Sequence, residues 1–227
     1  MHDGHRMRMR ERIINSSLDG LAPHEIIESL LFYALPRVNT NEIAHDLINA
    51  FGSISGVFDA SYEDLLKVKG IGANAATLIK MVPIMCRAYI GDKYSDGEIL
   101  GSTELSGQYL QRKYIGILEE TPSIVLMDNK CRVINWCIIG HGSMAAADIN
   151  VRKVIEFAVR CNATCTILCH NHPSGVALPS RQDIETTRVI INALKTIHVA
   201  VVDHIILGGN DFVSLADSAE YAYLFFD

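Results

Sequence analysis

The stretch that decides the fold runs from residue 169 to residue 183 and reads CHNHPSGVALPSRQD. It begins at the end of 163-ATCTILCH-170, an apolar and β-branched run that is typical of a buried strand. Alternate residues of a strand face the same side, so His170 and His172 can point together if the extended geometry persists. The sequence therefore predicts a central strand with two histidines at its carboxyl end.

An aspartate follows the two histidines at a distance that a short loop can close. Pro173-Ser174-Gly175 turns the chain, and Ser180 to Asp183 opens the next helix. Two imidazoles and a carboxylate are a usual open zinc set, which leaves the fourth tetrahedral position for a water with a pKa near 7. We therefore predict a metal site formed by His170, His172 and Asp183, and the same groups can also hold iron or manganese.

A second interpretation of these residues needs no metal. Ser180 and Asp183 have the spacing of a capping arrangement, in which the serine binds the N3 amide and the aspartate favours the helix dipole. An isolated pair of histidines also occurs by chance. Capping does not explain two histidines at the end of a central strand, where sites in α/β folds tend to lie. The spacing alone does not decide between metal binding and helix capping.

The composition is that of a globular protein. The chain has 227 residues, of which 49% are hydrophobic, and a formal net charge of −6, which argues against a strongly basic nucleic-acid-binding protein. The N-terminal residues lack the apolar run of a signal peptide, and no stretch approaches the roughly 18 apolar residues of a membrane span. Six cysteines without a secretion signal do not indicate a disulfide framework, and we interpret Cys165 and Cys169 as small buried hydrophobes. These features predict a soluble cytoplasmic protein.

The pattern divides the chain into two domains. Residues 1–91 are helical in pattern, 92–101 are rich in Gly and Asp and predict a linker, and 102–227 form the second domain. Helix signals in the first domain are Thr40 as an N-cap, Gly52 as a helix end and Ser61 as a helix start. The second domain opens with a helical segment and becomes α/β from about Pro122. Its predicted elements are strands at 123–128 and 131–140, a helix at 148–162 with Asp148 at its start, a strand at 163–170, a helix at 180–197, and strands at 199–209 and 211–215.

These motifs resemble a known family. His170-x-His172, seven residues, then Ser180-x-x-Asp183 resembles the full JAMM motif of MPN-type metalloproteases, and Pro173-Ser174-Gly175 resembles the bacterial RadC family in particular. HDGHRMRMRERI, LDGLAPHEIIESLLFYALPRVNTNEIAHDLINAFGS and VKGIGANAATLIK resemble its helical leader. The resemblance covers nearly the whole chain. It implies a C-terminal JAMM/MPN-like α/β domain, cytidine-deaminase-like with a mixed sheet and flanking helices, preceded by a small all-α helix-hairpin-helix domain.

The resemblance also implies a chemistry. Zinc would be bound by His170, His172 and Asp183, and the reaction would be hydrolysis of a peptide or isopeptide bond in a peptide or protein substrate. Ser180 would help to hold the oxyanion of the tetrahedral intermediate. A glutamate near the first strand would act as general acid/base, and Glu120 is our choice.

Three features make the transfer of roles incomplete. Glu119 is the alternative to Glu120, and both can equally be solvated charges at the end of the preceding helix. Asn150-Val151-Arg152-Lys153 stands where the family often has His-Pro-Arg-Glu, and Pro122 stands where an apolar strand residue is expected. Asp203-His204 matches the family, which predicts either a supporting role behind the metal ligands or a buried core pair.

The first domain contains a candidate nucleic-acid contact. LKVKGIGANAATLIK, residues 66–80, has the pattern of a helix-hairpin-helix, in which Gly70 and Gly72 allow a tight turn before a helix N-terminus that can bind a phosphate oxygen. Lys67 and Lys69 would add contacts to the DNA backbone. The alternative is a tight turn that only packs on its neighbours.

Three functions compete at this stage. The first is a zinc metalloprotease or isopeptidase that its helical leader recruits to DNA. The second is a non-catalytic DNA-associated factor, which the family's usual label of a DNA repair protein suits equally. The third is a metal-dependent nuclease. An exposed strand edge beside the metal favours peptide, whereas a lining of Lys and Arg favours a phosphodiester, and Arg181 is the only cation near the motif.

Overall fold

The computed structural model describes residues 2–16, 18, 20–93, 97–142 and 149–226. The chain divides into two compact units, Met1–Cys86 and Arg87–Asp227, and their boundary falls inside the longest helix of the first unit. The predicted boundary at residue 91 lies at the end of that helix instead. Within the predicted linker, Leu100 N donates to Cys131 O at 2.9 Å and Val133 N to Glu98 O at 2.8 Å. Residues 98–100 therefore pack as part of the second unit.

The first unit is helical, in agreement with the pattern. Its core contains Ile27, Leu31, Leu47, Leu65 and Ile79, all fully buried. Its helices are α1 (His2–Ser16), α2 (Pro23–Ala34), α3 (Thr40–Phe51), α4 (Ile54–Asp59), α5 (Tyr62–Lys67) and α6 (Ala73–Lys93).

Two of the three predicted helix ends in the first unit are confirmed. Gly52 ends α3 with a φ of 81°, a left-handed conformation that glycine adopts without strain, and the Ser61 side chain caps α5. The N-cap of α3 is Asn39, one residue before the predicted Thr40, because its side chain accepts a hydrogen bond from Asn41 N.

The second unit is an α/β domain with one five-stranded mixed sheet. The strand order is β2-β1-β3-β4-β5, with β3 and β4 parallel and the other pairs antiparallel. Its elements are α7 (Thr103–Lys113), β1 (Ser123–Met127), β2 (Val133–Ile138), α8 (Val151–Arg160), β3 (Cys165–Asn171), α9 (Arg181–Lys195), β4 (Ala200–Gly208), β5 (Asp211–Ser214) and a 3-10 turn at Ala222–Leu224.

The central strand β3 is covered on both faces. Cys165, Ile167 and Cys169 pack in a cluster with Leu110 of α7, whereas Leu168 packs in a cluster with residues of α8 and α9. Because side chains alternate along a strand, His170 shares the face of Leu168 and therefore faces α9. The sheet thus sets the first predicted ligand inside the protein, under the first turn of α9.

The helix α8 begins later than predicted from the sequence. The N-cap of α8 is Asn150, whose side chain accepts from Lys153 N, whereas the predicted helix start at Asp148 lies outside the described residues. Within the described part of the chain, the helices are too short or too polar to cross a membrane.

Candidate metal centre

The three predicted metal ligands converge at the carboxyl end of β3. His170 lies within β3, His172 follows the strand, and Asp183 lies in the first turn of α9. The two Nε2 atoms are 2.9 Å apart, His170 Nε2 is 3.2 Å from Asp183 Oδ1, and His172 Nε2 is 3.7 Å from Asp183 Oδ2. Among the described residues, this is the one group of three or more His, Cys, Asp or Glu side chains that is close enough to share an ion.

The cluster is buried and carries a negative charge. His170 is fully buried and Asp183 is 1% exposed, while His172 is partly open to solvent. Burial alone raises the pKa of Asp183, but its contacts with His170 and Ser180 outweigh burial and hold that pKa well below its usual range. The carboxylate therefore stays ionised, as a metal ligand must be.

The orientation of His172 leaves one ring nitrogen for a ligand role. Its Nδ1 lies 2.9 Å from the carbonyl oxygen of Val176, which can only accept, so Nδ1 carries the proton. In the neutral ring Nε2 then presents a lone pair towards His170 and Asp183. The loop that joins the ligands thus fixes the tautomer of one of them.

His204 supports the other histidine, and Asp203 does not. His204 is fully buried and its Nε2 lies 2.9 Å from His170 Nδ1. The Asp203 carboxylate instead accepts from Ser214 Oγ at 2.7 Å and from Ala216 N at 3.0 Å. Of the two sequence interpretations of Asp203-His204, a place behind the ligand therefore fits the histidine and a core role fits the aspartate.

Ser180 is compatible with both interpretations of its motif. It is the N-cap of α9, where its Oγ accepts from Asp183 N at 3.2 Å and its N donates to Asp183 Oδ2 at 2.7 Å. The capping box holds the Asp183 carboxylate at the mouth of the helix. The Ser180 hydroxyl also forms a hydrogen bond with Asp183 that helps to lower the pKa of that carboxyl. Ser180 is exposed, so its hydroxyl can also reach a substrate.

Glu120 lies in the segment before β1, at the end of the strand that pairs with the carboxyl end of β3. The antiparallel β1–β3 ladder ends at the Ser123–Cys169 pair, and its register, if continued, would set Glu120 opposite His172. Directly opposed residues of an antiparallel pair share a face. Glu120 is half-buried and Glu119 is exposed, so the register and the burial both favour Glu120 over Glu119 as the glutamate of the site.

Asn171, the residue between the two histidines, anchors that segment. Its Oδ1 accepts from Thr121 N at 2.9 Å, and its Nδ2 donates to Ile117 O at 3.3 Å. The buried Tyr114 hydroxyl reinforces the junction with contacts to Thr121 O at 2.6 Å and Ser123 Oγ at 2.8 Å. No local pattern in the sequence marks Asn171, although its place between the two histidines puts it on the opposite face of β3 from them.

Gly208 allows the metal loop to pass close to β4. A Cβ at this position would lie 2.4 Å from Ala177 N and 2.7 Å from the carbonyl carbon of Val176, whose oxygen holds His172. Backbone atoms cannot swing aside as a flexible side chain can. Gly208 is therefore a site where close backbone approach requires glycine.

We expect Gly208→Ala to lower the free energy of unfolding by about 1–3 kcal/mol and to weaken metal binding, because the displaced loop moves Val176 away from His172. Chemical denaturation and zinc titration measure the two effects. Gly101→Ala is the control, since the nearest atom to its new Cβ would be 4.0 Å away. Equal behaviour of the two variants would contradict the prediction.

The candidate DNA-binding residues lie together in the turn between α5 and α6. Gly70 has a φ of 92°, and a Cβ there would lie 2.7 Å from Ile43 Cδ1, while Gly72 has open space around it. Lys67 forms an ion pair with Asp64 at 2.6 Å, and Lys69 is exposed. The contact with DNA stays a prediction.

The fold and the site define a class of protein. A helical region followed by a mixed five-stranded sheet, with a His-His-Asp cluster at the end of the central strand, is consistent with a JAB/MPN-like domain. The family model described as the RadC-like JAB domain matches residues 100–220, which is more than half of the chain. The chain therefore belongs to the RadC family, and the resemblance predicted from its motifs is confirmed.

Curated relatives cover almost the whole chain. The UPF0758 protein of Tolumonas auensis is 32% identical over 210 residues, which are 92% of this chain and 94% of the relative. That of Fusobacterium nucleatum is 31% identical over 224 residues, or 95% and 96% of the two chains. That of Shewanella halifaxensis is 31% identical over 213 residues, or 92% of each. The likeness thus extends through the helical unit as well as the JAB domain.

Proposed function

We propose that the chain is a zinc-dependent hydrolase that cleaves a peptide or isopeptide bond. The observation that carries the proposal is the convergence of two imidazole Nε2 atoms and an ionised carboxylate at the end of β3. The two Nε2 atoms lie 2.9 Å apart, and each lies within 3.7 Å of a carboxylate oxygen of Asp183, so one ion could contact all three side chains.

The donor set fits zinc. Two nitrogen ligands and one carboxylate oxygen are the protein ligands of an open catalytic site, and His170, His172 and Asp183 would supply them. A zinc ion bound there supplies acidity to a water molecule and polarises the substrate carbonyl. The partial exposure of His172 leaves this side of the site open to solvent and to a substrate.

The remaining chemistry falls to two side chains. Hydrolysis adds water across the C–N bond, so that the hydroxyl goes to the carbonyl carbon and a proton goes to the leaving amine. Glu120 takes the proton from the attacking water and delivers it to that amine. Ser180 donates its hydroxyl proton to the carbonyl oxygen as negative charge develops there.

The surroundings of the site favour a peptide over a phosphodiester. Val176 and Leu178 of the metal loop are 52% and 68% exposed, whereas Arg181 is ion-paired with Glu185 at 3.0 Å. A cavity of about 420 Å³ beside Thr121 is lined mainly by apolar groups. Arg87 is the basic side chain of Lys or Arg type in its lining. The Arg87 guanidinium donates to Ile115 O at 2.7 Å. A binding surface for phosphates would need more free positive charge.

The outermost strand β2 has its carboxyl end near the metal end of the sheet. β2 is an edge strand, and its Ile138 pairs with the same Ser123 that pairs with Cys169 of β3. An extended peptide can add to such an edge through main-chain hydrogen bonds. This feature also favours a protein substrate.

Recruitment to DNA through a helix-hairpin-helix is a separate part of the proposal with weaker support. Lys67 is ion-paired with Asp64, and Glu63 lies beside it, so the turn between α5 and α6 has little free positive charge. Arg6 of the basic N-terminal run is buried and donates to Leu35 O, Pro36 O and Val38 O at 2.6 to 2.8 Å. A non-catalytic role on DNA therefore has less support than hydrolysis.

Zinc removal and replacement test the proposed function. We expect zinc-loaded protein to generate new termini in a peptide library, read by mass spectrometry, and to lose this activity after chelation and regain it with zinc. Single- and double-stranded oligonucleotides are incubated in parallel. Zinc-dependent cleavage of DNA alone would point to the nuclease alternative, and stoichiometric zinc with no cleavage of either would point to the non-catalytic one.

A further inference from the structure

A buried chain of polar groups runs behind the ligand His170 and returns to the ligand Asp183. His170 Nδ1 lies 2.9 Å from His204 Nε2, and His204 Nδ1 lies 2.6 Å from Thr187 Oγ1. Thr187 Oγ1 lies 2.6 Å from the carbonyl oxygen of Asp183. All four residues are at most 1% exposed, so water does not compete for these contacts.

The position of each proton in this chain of polar groups follows from the Asp183 carbonyl oxygen at its end. The Asp183 carbonyl oxygen only accepts, so the single hydroxyl proton of Thr187 points to it. If that proton turned to His204 instead, two oxygen atoms would face each other at 2.6 Å without a proton between them. Thr187 Oγ1 therefore accepts from His204, and His204 carries its proton on Nδ1.

The proton position on His204 then sets the direction of its hydrogen bond with the ligand His170. His204 is fully buried and its two ring nitrogens meet His170 and Thr187, neither of which is a carboxylate, so a second proton on the ring would be a costly buried charge. The ring is therefore neutral and its Nε2 has a bare lone pair. That lone pair accepts from Nδ1 of His170. In the neutral ring of His170, the Nε2 is then without a proton and faces His172 and Asp183.

We propose that Thr187 and His204 are positioning residues that fix the tautomer of His170 and so keep its Nε2 ready for the metal. The inference deepens the proposed metal site and does not depend on which bond the protein cleaves. Neither side chain contacts the place where three ligand atoms meet. They act through His170, and the hydroxyl of Thr187 sets the direction of every proton in the chain.

These contacts also link the helix α9, which carries Asp183, to the strand β3, which carries His170. Thr187 stands one helical turn after Asp183, and its hydroxyl takes the Asp183 carbonyl as acceptor while the Asp183 carboxylate meets His170. Asp183, Thr187, His204 and His170 thus form a closed ring of contacts. The position of α9 and the tautomer of the β3 histidine are set by the same hydroxyl.

Thr187→Val and Thr187→Ser test the inference in the full-length protein. Valine keeps the shape and removes the hydroxyl, whereas serine keeps it. We expect Thr187→Val to lower zinc affinity about 10- to 100-fold in competition with a chromophoric chelator, and Thr187→Ser to stay near the wild type. Thr166→Val is the matched control, since Thr166 is a fully buried threonine of β3 whose hydroxyl bonds a backbone carbonyl, Val125 O, at 2.6 Å.

Nitrogen NMR of the metal-free protein reads the tautomers directly. In the wild type we expect the proton on Nδ1 in both His204 and His170, and in Thr187→Val we expect His204 to show its other tautomer or a mixture. A wild-type His204 protonated on Nε2 would overturn the inference, even if Thr187→Val does not fold. Unchanged zinc affinity and tautomers in a folded Thr187→Val would overturn it too. If no zinc binds to the wild type, the proposed site fails, and the tautomers still decide this inference.

Discussion

Zinc affinity is expected to fall by more than about 100-fold in His172→Ala. Loss of a group that only supports a ligand costs 10- to 100-fold, and loss of the ligand itself should cost more. His172 is partly exposed and lies outside β3, so its removal leaves the sheet and its core in place. Metal content by mass spectrometry and a chelator competition measure the change.

Asp183→Asn separates the metal role of Asp183 from its capping role. The carboxylate accepts from Ser180 N at 2.7 Å, and an asparagine oxygen can accept the same bond. The variant should therefore keep α9 and lose the negative charge that the metal needs. We expect zinc binding to fall as in His172→Ala while the helical signal in circular dichroism stays unchanged.

Two controls match these variants. His45→Ala removes an exposed histidine that stacks on His24 in the helical unit. Asp203→Asn removes a buried carboxylate that accepts hydrogen bonds from Ser214 and Ala216. Both should retain one zinc per chain. Zinc retained by His172→Ala and Asp183→Asn at the level of the controls would refute the assignment of the site.

The main features of the site follow from short-range patterns in the sequence. Alternation along a strand places His170 and His172 together, and the first turn of a helix brings Asp183 back, so these residues could be predicted without a structure. Metal ligation and capping looked like competing interpretations of Ser180 and Asp183. In the structure, the capping box orients the carboxylate that reaches His170, so the two roles are compatible.

The features that the sequence did not yield depend on contacts between distant segments. His204 reaches His170 only because β4 pairs in parallel with β3, and no local pattern states that register. Asn171 holds Thr121 across about 50 residues of chain. Thr187 carried a local signal, since it follows Asp183 by four residues and lies on the same helix face. Its meaning required the position of His204.

Glu120→Gln is expected to reduce hydrolysis by about 10²- to 10⁴-fold while zinc binding stays intact. Glutamine keeps the size of the side chain and cannot take up a proton, so the variant removes general acid/base catalysis, which contributes about this factor. The β1–β3 register, continued past Ser123, would set Glu120 opposite His172, and Glu120 is not among the residues that share the cluster. Glu120→Gln should therefore lose activity and keep its metal content.

Glu119→Gln is the matched control for this variant. It removes the neighbouring carboxylate, which is exposed and lines the cavity beside Thr121, so it should keep most of the activity and all of the zinc. The reverse result, with Glu119→Gln inactive and Glu120→Gln active, would move the acid/base role by one residue and contradict the register argument. Full activity in both variants, measured on the same zinc-loaded protein and the same peptide, would leave the site without a glutamate base. Hydrolysis would then have to proceed with Ser180 and the three ligand residues alone.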